Sequence, residues 1–245
     1  ISGGDAVVIK GASWRSGSGG AQNVRMETGQ EMKWYGGTCN GSPDRCDGWQ
    51  VCIKTVDYDV GVFSGNPMLS SVTVGRNVTI GAMAFYNSKT LTQVKFPSGP
   101  DAALVLRKRA FASSSAIESI VVPEETIVGE LAFADCGGLT NVSVAAGTTL
   151  MSGACRSCEA VAAVGLGIGV GFDLGGVAGS TSNAVFGDCP TISRVTIAAS
   201  TVVPDFSFFV AAGSQLAKAS DAGAVTIGAG AVVGASVFSN LNQFG

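Results

Sequence analysis

The most reactive side chains in this sequence are its seven cysteines, and what they can do is limited by the absence of any histidine. Without histidine the chain lacks the commonest general base and the commonest metal ligand. Ser–His–Asp and Cys–His catalysis and mixed Cys/His zinc sites are therefore excluded within it. Cys155-x-x-Cys158 has the spacing of half a zinc or redox motif. A structural zinc takes four ligands, and the second pair is missing, so neither a metal nor any cofactor is expected. Glu124, Glu125 and Glu130 invite a paired-carboxylate reading, the arrangement glycosidases use. They fall at chain corners, where solvated charges are normal, and no aromatic sugar platform can be picked out beside them, so the solvated reading is preferred. A polysaccharide-acting enzyme stays a third reading, and no catalytic residue is expected. Arg107-Lys108-Arg109 reads as a solvated corner or, alternatively, a contact for an acidic partner.

A repeat positions these residues. The stretch IGAMAFYNSKTLTQVKF at 80–96 returns as VGELAFADCGGLTNVSV at 128–144. Its ruler is a phenylalanine slot, filled by Phe63, Phe85, Phe111, Phe133, Cys155, Phe186, Phe208 and Phe238, with steps of 22, 26, 22, 22, 31, 22 and 30. Eleven residues after the slot come Val74, Phe96, Val122, Val144, Leu166 and Ile197, so the basic coil is two half-turns of eleven. A fixed period of this length means a stacked array in which each unit buries its apolar face on its neighbours. The expected fold is a mainly β repeat solenoid of about 22 residues per turn and seven to eight turns over 56–245. Insertions are expected near 98–101, 169–180 and 217–223, and residues 1–55 are expected to form a Cys-containing N-terminal cap or, alternatively, a small binding module.

Within the second half-turn, Leu91-x-x-Val94-x-Phe96 places alternate side chains on one face, the period of a half-buried strand. Ser71, Thr73, Gln93, Lys95, Ser119, Asn141, Ser143, Arg194 and Thr196 then point outward. Gly81, Gly129 and Gly234 are expected at corners whose backbone angles a side chain resists. Cys136, Cys158 and Cys189 share a slot three residues past the ruler. On adjacent coils Cys136 and Cys158 come within disulfide reach, so buried thiols or a coil-to-coil disulfide are both expected states. Cys39, Cys46 and Cys52 allow one local disulfide, and the odd total leaves a free thiol or an intermolecular bond. The alternating stretch Gly165-Leu-Gly-Ile-Gly-Val-Gly171 reads as a strand or hairpin inserted into a coil, or as an apolar contact for a partner or a second copy.

The net charge of −3 argues against a nucleic-acid partner, which calls for a basic face. The apolar run at 160–171 is too short for a membrane span of ~20 residues, so no membrane insertion is expected. Sequons at Asn40-Gly-Ser, Asn77-Val-Thr and Asn141-Val-Ser, with the cysteine content, point to a secreted or cell-surface protein. The chain starts at Ile1, consistent with processing or a fragment, and the last coil stops at Phe244-Gly245 before its second half-turn. The expectation is that the chain continues or that another subunit covers this end.

The repeats resemble the BspA-like leucine-rich-repeat family, whose units read roughly IG-x-x-AF-x-x-C-x-x-L-x-x-I-x-IP. The matching stretches are IGAMAFYNSKTLTQVKFP at 80–97, AFASSSAIESIVVP at 110–123 and VFGDCPTISRVTI at 185–197, and the resemblance covers about residues 56–245. It implies a solenoid with one strand per repeat on the inner face, and surface-exposed or secreted proteins of bacteria and protists, several acting in adhesion. It carries over no catalytic residue. Cys155 in place of Phe, the N-terminal segment and the Gly-rich insertion depart from the pattern. The functional expectation is a non-enzymatic extracellular structural protein, adhesin-like or a filament subunit whose partner is itself, stacked head to tail. The alternative is a carbohydrate- or matrix-binding module whose outward strand face meets an extracellular protein or glycan.

Overall fold

In a computed structural model of the chain, the described residues are 7–10, 24–26, 61, 63–99, 102–175, 181–210 and 224–239. Cys39, Cys46, Cys52, Asn40 and the expected insertion at 217–223 lie outside them. Parallel strands stack into two faces. The long-strand face holds β3 (Ser71–Thr73), β5 (Gln93–Lys95), β7 (Ser119–Val122), β9 (Asn141–Val144), β11 (Ala163–Leu166), β13 (Arg194–Ile197) and β15 (Ala224–Ile227). The short-strand face holds β4 (Thr79–Ile80), β6 (Val105–Leu106), β8 (Ile127–Val128), β10 (Thr149–Met151), β12 (Gly171–Asp173), β14 (Val202–Val203) and β16 (Val232–Val233). The chain alternates between the faces, one strand of each per coil. A single 3-10 turn, Thr181–Asn183, is the only helical element among the described residues. This is the mainly β repeat solenoid that the spacing predicts.

The strands form because β-branched residues alternate with polar ones. In β7, β9 and β13 exposed and buried positions alternate strictly, so Ile120, Val122, Val142, Val144, Val195 and Ile197 face the core. Register follows the ruler: Ile120 sits beside Val142, Val142 beside Val164, and Val164 beside Val195. A slip of one residue would turn each of these core side chains to solvent. At the N-terminal side, β1 (Val7–Lys10) runs antiparallel to β3 and also pairs with β2 (Val24–Met26). The outer edge of the first long strand is thereby occupied by the same chain.

The insertions leave a mark on the ladders. Among the described residues β5 does not pair with β7, and β12 does not pair with β14. Each break sits where the ruler step lengthens, at 26 and at 31 residues. The Gly-rich stretch requires a correction. It is the coil itself rather than an inserted hairpin: Gly165 lies in β11, paired in parallel with β9 and β13, and Gly171 begins β12, paired in parallel with β10. Alternating glycines leave those strands bare outside while Val164, Leu166 and Val170 fill the core.

The third side of each coil is a stacked turn rather than a strand. The ruler residue donates its N–H to the next coil, as in Phe85 to Ala110 O at 2.7 Å, Phe111 to Ala132 O at 2.8 Å and Phe133 to Ala154 O at 2.7 Å. Left-handed residues flank the slot. Met83, Arg109, Leu131, Phe206 and Ser236 lie two before it, and Asn87, Ser113, Asp135, Ser157 and Asp188 two after, all at φ between 52° and 60°. The corner glycines are a second correction, since none of Gly81, Gly129 and Gly234 has positive φ. Gly129 is required by close approach instead: a Cβ there would fall 2.5 Å from the Leu106 carbonyl oxygen.

The phenylalanines meet ring on ring inside. Phe63–Phe85, Phe85–Phe111 and Phe111–Phe133 stack at 5.3, 4.9 and 5.3 Å with interplanar angles of 10°, 7° and 3°. Phe186–Phe208 stack at 4.8 Å, and Phe208–Phe238 meet at 5.3 Å with a 33° tilt. Cys155 interrupts the column between the two runs.

Candidate functional site

The slot three past the ruler is a buried ladder of donors. Ser88 Oγ donates to Phe63 O at 2.9 Å, and Ser114 Oγ to Phe85 O at 2.7 Å. Cys136 Sγ donates to Phe111 O at 3.2 Å, Cys158 Sγ to Phe133 O at 3.1 Å and Cys189 Sγ to Cys155 O at 3.1 Å. Every coil from 85 to 186 thus satisfies one carbonyl of the coil before it with a hydroxyl or a thiol. Cys136 and Cys158 are free thiols here, so the disulfide alternative is not the arrangement found. The slot explains why: the sulfur occupies the place of a serine oxygen and its proton is engaged. Burial pushes the thiols of Cys136, Cys155 and Cys189 well above their ordinary value of 9.0, with contact to Cys158 adding to the rise. Thiolate is the reactive form, so these groups are chemically quiet. Among the described residues no three of the His, Cys, Asp and Glu type come together as metal ligands, Cys155 and Cys158 included.

A second ladder has no counterpart in the sequence reading. Thr148 Oγ1 donates to Pro123 O at 2.9 Å and Thr201 Oγ1 to Gly167 O at 2.8 Å, both buried at the entry to short strands. The recurrence of Thr126 at Thr148, one coil on, was the available signal.

The surface that remains for recognition is the long-strand face. Thr73, Gln93, Lys95, Ser119, Asn141, Ser143, Arg194 and Thr196 are exposed as their spacing predicts, while Ser71 is half-buried. Within each ladder, parallel register sets them in rows, Gln93 beside Ser71 in the first and Asn141 beside Ser119 in the second. Where β5 and β7 fail to pair, a cleft of about 510 Å³ opens, lined by Lys95, Phe96, Ser98, Ser119, Val121 and Glu124 among others. Its floor is apolar and its rim carries one cation, one carboxylate and two hydroxyls. Val121 is 66 % exposed, the one large apolar side chain in the outward rows of β5 to β13.

The charged candidates are placed as corners. Glu124 and Glu125 are exposed in the turn after β7. Glu130 pairs with Lys108 of the preceding coil at 2.9 Å, both side chains about half exposed. Of the sequon asparagines, Asn77 is exposed in the turn before β4, and Asn141 is exposed in β9 with its Nδ2 donating to Thr140 Oγ1 at 3.1 Å. No helix among the described residues is long and apolar enough to cross a membrane.

Among known families, the model for BspA type Leucine rich repeat region matches residues 58–166, in six copies. The coils at 181–210 and 224–239 lie beyond the matched stretch yet stack on it through the same ladders, β11 to β13 to β15. Neither a curated protein nor a solved structure matches the chain.

Proposed function

We propose, from the premise that residues 58–166 are BspA-type leucine-rich repeats, that this protein is a non-enzymatic, extracellular, adhesin-like repeat protein that binds through its long-strand face. BspA-type repeats are in general those of surface and secreted repeat proteins. The observation that carries the reading is the outward rows, held in register by backbone ladders on β3 and β5 and again on β7 to β15, with the cleft between the two blocks. Rows of exposed side chains at a strand spacing of ~4.8 Å give a rigid surface that loses little entropy when a partner is bound. The cleft between β5 and β7 favours a glycan or matrix chain as that partner, because Lys95, Ser98, Ser119 and Glu124 offer hydrogen bonds around an apolar floor.

The assembled version of the same reading is a filament subunit stacked head to tail. Such a contact is heterologous and gives an open fibre when it does not close. The edge of β3 is already paired with β1, so the joint falls on other surfaces. Electron microscopy of native material tests this version: ordered fibres support it, and isolated rods at high concentration sink it. A glycan and matrix-protein array tests the binding reading. Loss of binding in Gln93→Ala with Lys95→Ala is expected, and binding unchanged by that pair overturns it.

A further inference from the structure

We infer that Asn77 is an N-glycan acceptor and that Asn141 stays bare, an assignment that rests on the extracellular reading above. Both head an Asn-Val-hydroxyl triplet, Asn77-Val78-Thr79 and Asn141-Val142-Ser143, and both side chains are exposed. Their backbones differ. Asn77 stands at φ 54° in the turn before β4, and β4 is a two-residue strand at the edge of its sheet among the described residues. Lifting that corner draws Val78 from the core and breaks one short pairing, Thr79 beside Val105 and Ile80 beside Leu106, together with the Val105 N–H bond to Val78 O, and it disturbs one ladder only. Exposed turns are where local opening costs least. Asn141 begins a four-residue strand paired on both sides, to β7 and to β11. Presenting 141–143 to a transferase means opening two ladders in the middle of the stack, and the Asn141 amide is already engaged by Thr140.

The co-reactant is an oligosaccharide linked to a lipid pyrophosphate. The Asn77 carboxamide nitrogen forms a bond to the anomeric carbon, and the bond from that carbon to the pyrophosphate oxygen breaks. The lipid pyrophosphate leaves with the electron pair, and the amide gives up one proton. A glycan at this corner leaves from the turn between β3 and β4 and not from the outward rows themselves. One on Asn141 would cover the rows to which binding is assigned.

The test is translation of the chain behind a cleavable secretory leader into microsomal membranes, followed by enzymatic glycan release and peptide mapping. The leader supplies lumenal entry by itself, so the result is separate from the extracellular reading, which fails if the natural protein is found inside the cell. The expected result is glycan-derived conversion to aspartate at Asn77 and none at Asn141, with the modification lost in both Asn77→Gln and Thr79→Ala. Unmodified Asn77 in leader-cleaved chains, a glycan on Asn141, or an Asn77 glycan that survives Thr79→Ala would overturn the assignment.

Discussion

Ser114 and Cys136 do the same work one coil apart, which makes the donor slot testable side chain by side chain. Ser114 Oγ donates to Phe85 O at 2.7 Å, and the same carbonyl otherwise receives only a 3.4 Å contact from the Ser88 N–H. Ser114→Ala leaves a buried carbonyl short of a donor, which costs about 1–3 kcal/mol. Ser114→Cys restores a weaker donor at the length the native cysteines use. The urea midpoint should fall clearly for the alanine variant and much less for the cysteine one; equal falls would mean that the slot is a packing site alone. The thiols add a pH dependence. The folded values of Cys136, Cys155 and Cys189 lie well above 9.0 because of burial, so the folded chain holds protons that the unfolded chain releases. The stability they contribute is complete below about pH 9 and declines as pH rises beyond it. Unfolding free energy of the native chain should therefore drop above pH 9 more steeply than that of a Cys136→Ser, Cys189→Ser variant. Parallel curves would remove the thiols from the account.

At the scale of the coil, close approach matters more than turn conformation at the corner glycines. Gly129→Ala puts a methyl 2.5 Å from Leu106 O and 2.8 Å from the Arg107 carbonyl carbon, both backbone. Neither can move without shifting the β6–β8 ladder, so a loss of about 1–3 kcal/mol is expected. Gly137→Ala is the control, because nothing lies within 4 Å of its added methyl. Its stability should stay within about 0.5 kcal/mol of the native chain, and thermal melts of the two variants make the comparison. The same contrast separates what sequence could and could not tell. Period-two alternation in SIVV, NVSV and RVTI gave the long strands and their outward side chains, because one face is buried in every coil. The ruler gave the Phe column for the same reason. The left-handed flanks at Met83, Arg109 and Leu131 carry no residue signature, since the stacked N–H to C=O bonds impose that backbone on whatever side chain is present. Cys136 and Cys158 invited a disulfide because spacing shows that two sulfurs are near, whereas the carbonyl each thiol already serves lies 25 residues away in sequence.

At the scale of the whole stack, stability is a sum over neighbouring coils, so the weakest boundary decides where the rod opens. The boundary between the coils of Cys155 and Phe186 lacks two of the usual ties: the ring contact is missing at Cys155, and β12 does not pair with β14. It keeps the β11–β13 ladder and gains a clamp found at this boundary: Arg156 Nη2 meets Asp188 Oδ2 at 2.8 Å, and Nη1 donates to Ser182 O at 2.9 Å. Those side chains are 34 % and 23 % exposed, so solvent screens the pair and its worth is on the order of 1 kcal/mol. Arg156→Ala should then raise amide exchange several-fold in β14 and β16, C-terminal to the boundary, while β7 and β9 keep native protection. A tenfold change in exchange corresponds to about 1.4 kcal/mol of local opening free energy, within the resolution of mass-spectrometric exchange. Uniform acceleration across all strands would mean that the stack opens as one unit and that this boundary has no special weakness. Confined acceleration would locate the joint at which a long repeat surface can yield under load without losing the rows on β5, β7 and β9.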